Sequence, residues 1–216
     1  MSTFLINTAV RFDMTHYKPD ELYEKFRSAK GAISRPAFFN SPSSGKIQEM
    51  WCAARFGQLF QRLYGDCLIH IADDDLQEIH DFLIEYQKAL EPIQITECIE
   101  PGRRRGDEYR EGRSPDPAVA NERWENGTEH GVSWVRDSIE KKTRKYAGSS
   151  RNVGLLVYLN FRSFNFRYEE MLRAAEPYLQ SWNSVWLISR EGLACLKPFH
   201  GVEAYAGWYI DEAIEG

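Results

Sequence analysis

The chain has 216 residues, of which 43% are hydrophobic and 13% aromatic, and a formal net charge of −5. This balance indicates a folded chain with a sizeable core, and the acidic charge gives no global electrostatic argument for nucleic acid. Without a long apolar run or a signal-like N-terminus, we expect no membrane association. The four scattered cysteines lack a C-x-x-C pair, which favours buried thiols in a cytoplasmic protein over a zinc site or a disulfide framework.

Two regions are expected, an N-terminal extension over residues 1–43 that packs on the core and a single α/β domain over residues 44–216. The domain opens with a helix over Lys46–Tyr64, because apolar side chains recur there at helical spacing. Glu49 lies one residue off the apolar stripe of this helix, where it is either solvated or part of a site. Asp66–Ala72 reads as the first strand of the core.

The next two strands are predicted over His80–Tyr86 and Pro92–Ile99. Asp81 opens the first of them, and Gln94 and Thr96 place polar oxygens in the second. Oxygens aligned on neighbouring strands are one way to hold a divalent cation. The alternative is a sheet core with a few polar residues at its exposed end.

An arginine-rich, glycine- and proline-rich insertion is expected at about 101–131. Arginine forks suit phosphates, but acidic residues are interleaved with them, so phosphate contact and a solvated, salt-bridged loop are both open. The arginines expected to contact nucleic acid are Arg103, Arg104, Arg105 and Arg113.

A helix is then predicted from about Ser133, with Val135, Ile139, Lys142 and Tyr146 along one face. A lysine within an apolar stripe either extends to solvent or meets an acidic partner. Because this helix follows the strand with Gln94 and Thr96 in the chain, Lys142 could reach the same site.

The remaining pattern is a strand over Asn152–Phe161, a helix over Arg167–Trp182 and a strand over Ser184–Ser189. The predicted fold is therefore α/β, with a mixed central sheet flanked by helices and the order α-β-β-β-α-β-α-β.

This order, with an aspartate on the second strand, resembles the PD-(D/E)XK nuclease superfamily and its restriction-endonuclease-like fold. The resemblance implies that Asp81 is the motif aspartate, that Gln94 takes the second acidic position and that Thr96 stands where lysine is expected. It further implies a metal ligand in the carbonyl of Ile95 and an acidic residue, Glu49, contributed by the first helix.

The implied function is metal-dependent hydrolysis of nucleic acid, with Mg²⁺ or alternatively Mn²⁺ as cofactor. Asp81, Gln94, Ile95 and Glu49 would hold the metal, and Lys142 from the following helix would replace the missing lysine. Nucleic acid is the expected partner, with homodimer formation as a further expectation. Because Gln94 and Thr96 depart from the motif, the alternative is an inactive nuclease-fold module that binds nucleic acid or protein.

Overall fold

A computed structural model describes residues 15–32, 43–71, 80–103, 117–148 and 150–211. Within these residues the strands are β1 (Thr15–Tyr17), β2 (Leu68–Ile71), β3 (Phe82–Tyr86), β4 (Ala89–Cys98), β5 (Gly154–Leu159), β6 (Val185–Ile188), β7 (Gly192–Lys197) and β8 (Trp208–Ile210). The helices are α1 (Pro19–Gly31), α2 (Ser43–Tyr64), α3 (Pro117–Lys145) and α4 (Tyr168–Leu179), with a short 3₁₀ turn at Ser150–Asn152.

The eight described strands form one sheet in which spatial order follows chain order. Strands β1 to β4 pair antiparallel, β4, β5 and β6 pair parallel, and β6 to β8 pair antiparallel again. The two parallel pairs need crossovers, which α3 and α4 supply. The predicted α/β class is therefore confirmed, and from α2 to β6 the elements follow the predicted order. Beyond this predicted series, the structure adds β1 and α1 before α2, and β7 and β8 after β6.

The sheet separates two apolar layers. One layer packs α1 and α2 on the first face, with Leu22, Phe56, Phe60, Ile84 and Trp186 among its buried side chains. The other packs α3 and α4 on the opposite face, with Val135, Ile139, Val157, Met171 and Trp182. A strand between two layers is apolar on both faces, which explains the near-continuous hydrophobic run of β5.

The second and third core strands form a tight hairpin. Gln87 and Lys88 make the turn with φ of 50° and 67°, and two consecutive positive φ values are typical of the two-residue turns that match the twist of a hairpin. Strand β4 consequently begins at Ala89, three residues before the predicted start at Pro92.

The largest error of the sequence prediction concerns α3, which begins at Pro117 rather than near Ser133. Residues 117–131 are therefore helical, and the predicted loop over them is wrong. Gly127 and Gly131 suggested a loop, yet in the helix they allow close packing. A Cβ on Gly127 would lie 1.7 Å from the carbonyl oxygen of Arg162, and one on Gly131 would lie 2.7 Å from the ring of Phe161.

The predicted division into an extension and a core domain stays a prediction. In the described residues, α1 contributes the buried side chain of Leu22 to the side of the sheet that α2 covers, and Phe26 of the same helix is also buried.

Candidate ligand-binding site

Strand β4 extends beyond its partner β3. The last β3–β4 pair joins Phe82 to Ile93, whereas β4 continues beside β5 as far as Cys98. On the β3 side, the backbone N–H of Ile95 donates to the Asp81 carboxylate at 2.5 Å. A buried N–H needs an acceptor, and Asp81 supplies the one that a longer β3 would have provided.

Gln94 closes a small hydrogen-bonded cluster with Asp81. Its side-chain amide donates to Asp81 Oδ2 and approaches the carbonyl oxygen of Ile95 at 3.2 Å. The structure therefore brings together three of the groups that the sequence assigned to a metal. They bond to one another here, and their roles as metal ligands stay predictions.

Two carboxyl groups and one ammonium group meet near this edge. Burial raises the pKa of Asp81, while the hydrogen bond from Ile95 and the charge of Lys142 oppose the rise. Burial and then the charge of Asp81 raise the pKa of Glu49, against Lys46 and Lys142. The charge of Lys142 on α3 thus lowers the pKa of both predicted acidic residues.

A cleft of about 390 Å³ lies between α3 and the end of β4, within the usual size range of small-ligand sites. We call it the α3–β4 cleft. Its lining comes from β4 and the chain after it (Thr96, Glu97, Ile99, Pro101) and from α3 (Trp134, Asp137, Ser138, Lys141, Lys142, Lys145).

The two carboxylates in the cleft already have partners. Asp137 accepts from Arg136 at 2.9 and 2.7 Å. Glu97 accepts from the Asn160 amide at 2.6 Å and from Gln48 of α2 at 3.4 Å. Arg136 offsets the charge of Asp137, and the three lysines outnumber the two carboxylates of the lining, so the cleft has a net positive charge.

Two of the lysines are positioned by an aromatic ring. The ammonium groups of Lys142 and Lys145 lie 5.4 and 5.0 Å from the centroid of the Tyr146 ring, within the range of cation–π attraction. Lys141 and Lys145 are exposed and Lys142 is half-buried. The cleft therefore carries cations at a range of depths.

Sequence reasoning found Lys142 but missed most of the cleft. Trp134, Ser138, Lys141 and Lys145 repeat the spacing of four, three and four that identified the stripe containing Lys142, displaced by one residue. A search for a second, polar stripe beside the apolar one would have found them.

Of the four arginines predicted to contact nucleic acid, the described residues include only Arg103. Its Nη1 donates to the carbonyl oxygen of Asn160 at 2.7 Å. Arg104, Arg105 and Arg113 lie outside the described residues, so nucleic-acid binding by this group stays a prediction.

Among the described residues, no group of three or more His, Cys, Asp or Glu side chains is placed to hold a metal ion. This part of the structure gives no support to magnesium, and an Mg²⁺ or Mn²⁺ cofactor stays a prediction. None of the described helices combines the length and apolar character needed to cross a bilayer.

No protein-family model matches the chain, and no curated protein matches it either. Among solved structures, the chain is similar to a protein of unknown function from Pseudomonas aeruginosa strain PAO1 that is described as a member of the monooxygenase superfamily. The two are 14% identical, the alignment covers 87% of this chain and 89% of the other, and the TM-score is 0.42.

The predicted nuclease is wrong. No PD-(D/E)XK family model matches the chain, and the predicted ligands Asp81, Gln94 and Ile95 bond to one another. In the part of the chain that the structure describes, no group of three or more His, Cys, Asp or Glu side chains is placed to hold a metal ion. The predicted family, the nuclease or hydrolase activity and the inactive nuclease-fold alternative are therefore wrong. The physical reason is the low specificity of the pattern. Element order alone does not define a function, and an aspartate at a strand start can equally accept a backbone hydrogen bond, as Asp81 does.

Proposed function

We propose that this protein binds a phosphate-bearing ligand in the α3–β4 cleft, with Lys141, Lys142 and Lys145 as the cationic groups. The observation that carries the proposal is the convergence of three lysines on a cleft of about 390 Å³. The two carboxylates of the cleft are already engaged by Arg136, Gln48 and Asn160.

The chemistry of the cleft suits an oxyanion. Each ammonium group offers three donors to phosphate oxygens, and charge-assisted hydrogen bonds are the strong ones. Thr96 and Ser138 add hydroxyl groups to the same lining. Trp134 supplies an apolar wall against which the uncharged part of a ligand can pack.

Calorimetric titration of the protein with inorganic tripolyphosphate tests the proposal. The double variant Lys141→Gln/Lys145→Gln removes two charges from exposed positions and should fold normally. We expect it to weaken binding by about tenfold or more, because one hydrogen bond to a charged group contributes about 1.5–3 kcal/mol.

A matched control is available on α1. Lys25 and Lys30 also lie over aromatic rings, at 4.6 Å from Tyr17 and 5.7 Å from Phe26. The variant Lys25→Gln/Lys30→Gln therefore loses the same charge at a distant helix and should bind tripolyphosphate as the parent does. Equal weakening in both double variants would show a general charge effect and would remove the cleft as the binding site.

A cytoplasmic location belongs to the same proposal, and it is supported by four cysteines that are all free and buried. Self-association as a homodimer stays a prediction, which sedimentation velocity over a range of protein concentrations would test.

A further inference from the structure

An aromatic stack is exposed beside the first half of α3. The ring of Phe164 is 66% exposed, and it stacks on Trp124 with centroids 5.2 Å apart and an interplanar angle of 26°. The guanidinium carbon of Arg162 lies 5.7 Å from the Trp124 ring. Phe164 is thus a solvent-exposed member of an aromatic pair that lies beside a positive charge.

The loop that presents this stack is fixed from several directions. The Phe164 N–H donates to the Thr128 hydroxyl at 2.9 Å, which also bonds to the Ser163 hydroxyl at 3.2 Å. Arg167 donates to the carbonyl of Thr128 at 2.9 Å. Because Gly127 lacks a Cβ, the carbonyl of Arg162 can lie directly on the helix. The exposure of Phe164 is therefore a fixed feature of a well-tied loop.

The stack and the α3–β4 cleft lie along the same side of α3. At about 100° of turn per residue, Trp124, Trp134, Lys141, Lys142 and Lys145 fall within about 100° of one another around the helix. Lys141 is seventeen residues beyond Trp124, which at about 1.5 Å per residue is roughly 26 Å. One ligand can reach both features only if it is several nucleotides long, since successive stacked nucleotides advance by about 3.4 Å.

We propose that Phe164, backed by Trp124 and Arg162, is a base-stacking site, and that the ligand of the α3–β4 cleft is a single-stranded nucleic acid. This inference rests on the proposed function, because the lysines of the cleft are the groups that take the phosphates. The strand places bases on Phe164 at one end of α3 and its backbone on the lysines at the other.

The chemistry favours a single strand over other ligands with phosphates. Grooves that bind single strands combine positive charge along the backbone with aromatic rings on which bases stack. In a duplex the base faces are covered by their neighbours, so Phe164 would find no open face. A mononucleotide is too short to engage the stack and the lysines together.

Fluorescence anisotropy with a labelled single strand of about twelve nucleotides tests the inference on the full chain. A strand of the same length without bases carries the same phosphates and separates stacking from charge. The variant Phe164→Ala removes the exposed ring. Tyr205→Ala is the control, because Tyr205 is 43% exposed and its ring pairs with Tyr209, with centroids 6.4 Å apart, rather than with the Phe164–Trp124 stack.

We expect Phe164→Ala to weaken binding of the base-bearing strand by roughly five- to 150-fold, the range that loss of one stacked base gives. Binding of the strand without bases should be unchanged, and Tyr205→Ala should affect neither strand. If Phe164→Ala weakens both strands equally, or weakens neither, the stacking site is overturned.

The same measurements separate this inference from the proposed function. If the strand without bases binds and depends on Lys141 and Lys145, while Phe164→Ala has no effect, the cleft is supported and the stacking site is overturned. If binding depends on Phe164 but not on the lysines, the stacking site is supported and the cleft is overturned. If no strand binds at all, the stacking inference is overturned and tripolyphosphate alone decides the cleft.

Discussion

At the scale of single residues, one carboxylate makes the ionisation of a neighbouring carboxyl group less favourable. Burial raises the pKa of Glu49 on α2, and the charge of Asp81, just before β3, acts in the same direction. Burial also raises the pKa of Asp81. Lys142 offsets part of this effect for both groups. The stability of the folded protein should therefore depend on pH in a way that it would not if both carboxyl groups were fully solvated.

The folded state raises the pKa of Glu49, so it holds this proton more tightly than the unfolded chain does. The stability that results is complete below the unfolded pKa and is lost as the pH rises through the higher folded pKa. We expect Glu49→Gln to raise the free energy of unfolding near pH 7 and to leave it unchanged near pH 3.5.

Urea denaturation at the two pH values measures this difference. Glu24→Gln is the control, because Glu24 is exposed and pairs with Arg27 at 3.1 Å, so its removal should bring no gain at pH 7. A Glu49→Gln variant that is less stable than the parent at pH 7 would show that the lysines, and not burial and Asp81, dominate at this position.

At the scale of elements, α3 determines both candidate ligand contacts. It crosses between the parallel strands β4 and β5 and continues along one side of the cleft. Its two glycines bring it against the loop after β5, where Gly127 meets the carbonyl of Arg162. A helix that approaches a neighbour this closely is fixed in position, and so are the lysines and the tryptophans that it carries.

We expect Gly127→Ala to lower the free energy of unfolding by about 1–3 kcal/mol, the usual cost of overpacking, because its Cβ would lie 1.7 Å from a backbone oxygen. The matched control is Gly31→Ala at the end of α1, where a Cβ meets nothing within 4 Å. That change should be neutral or stabilising by up to about 1 kcal/mol.

Chemical denaturation of both variants measures these effects, with circular dichroism to follow helix content. Equal stability of the two variants would mean that the loop after β5 can move away from α3 at little cost. The fixed position of Phe164 would then also be in doubt.

At the scale of the whole molecule, a buried ion pair ties the last described residue to the first layer of helices. Arg55 of α2 donates to Asp211 at 3.3 Å, and Arg62 also bonds to this carboxylate. Burial lowers the pKa of Arg55 to about 10, so it stays charged at neutral pH. The contact joins residues 156 positions apart in the chain.

We expect Asp211→Ala to cost about 3–5 kcal/mol, because it leaves the buried guanidinium of Arg55 without its carboxylate. The double variant Arg55→Leu/Asp211→Leu should be far closer to the parent, since apolar replacements of a buried pair are often neutral. Urea denaturation of the three proteins measures both changes. A double variant as unstable as Asp211→Ala would indicate that packing around Arg62, rather than an unpaired charge, causes the loss.

The sequence by itself determined the kind and order of most elements. Apolar residues at helical spacing gave α2 and α4, and an apolar run that both faces of a sheet require gave β5. It also placed Asp81 beside Gln94, because both residues lie at the end of the β3–β4 hairpin that is opposite its turn. These are local properties of the chain, because the spacing of apolar residues can be read from a short stretch of sequence.

The tertiary structure alone decided where β3 stops relative to β4, which carboxylates are already paired, and which side of α3 faces the cleft. Most of these features depend on contacts between residues far apart in the chain, such as Glu97 with Asn160, or Gly127 with Arg162. The same glycine breaks a helix in solution and permits close packing in a folded protein. The effect of the glycine depends on the residue that it packs against, and the local sequence does not identify that residue.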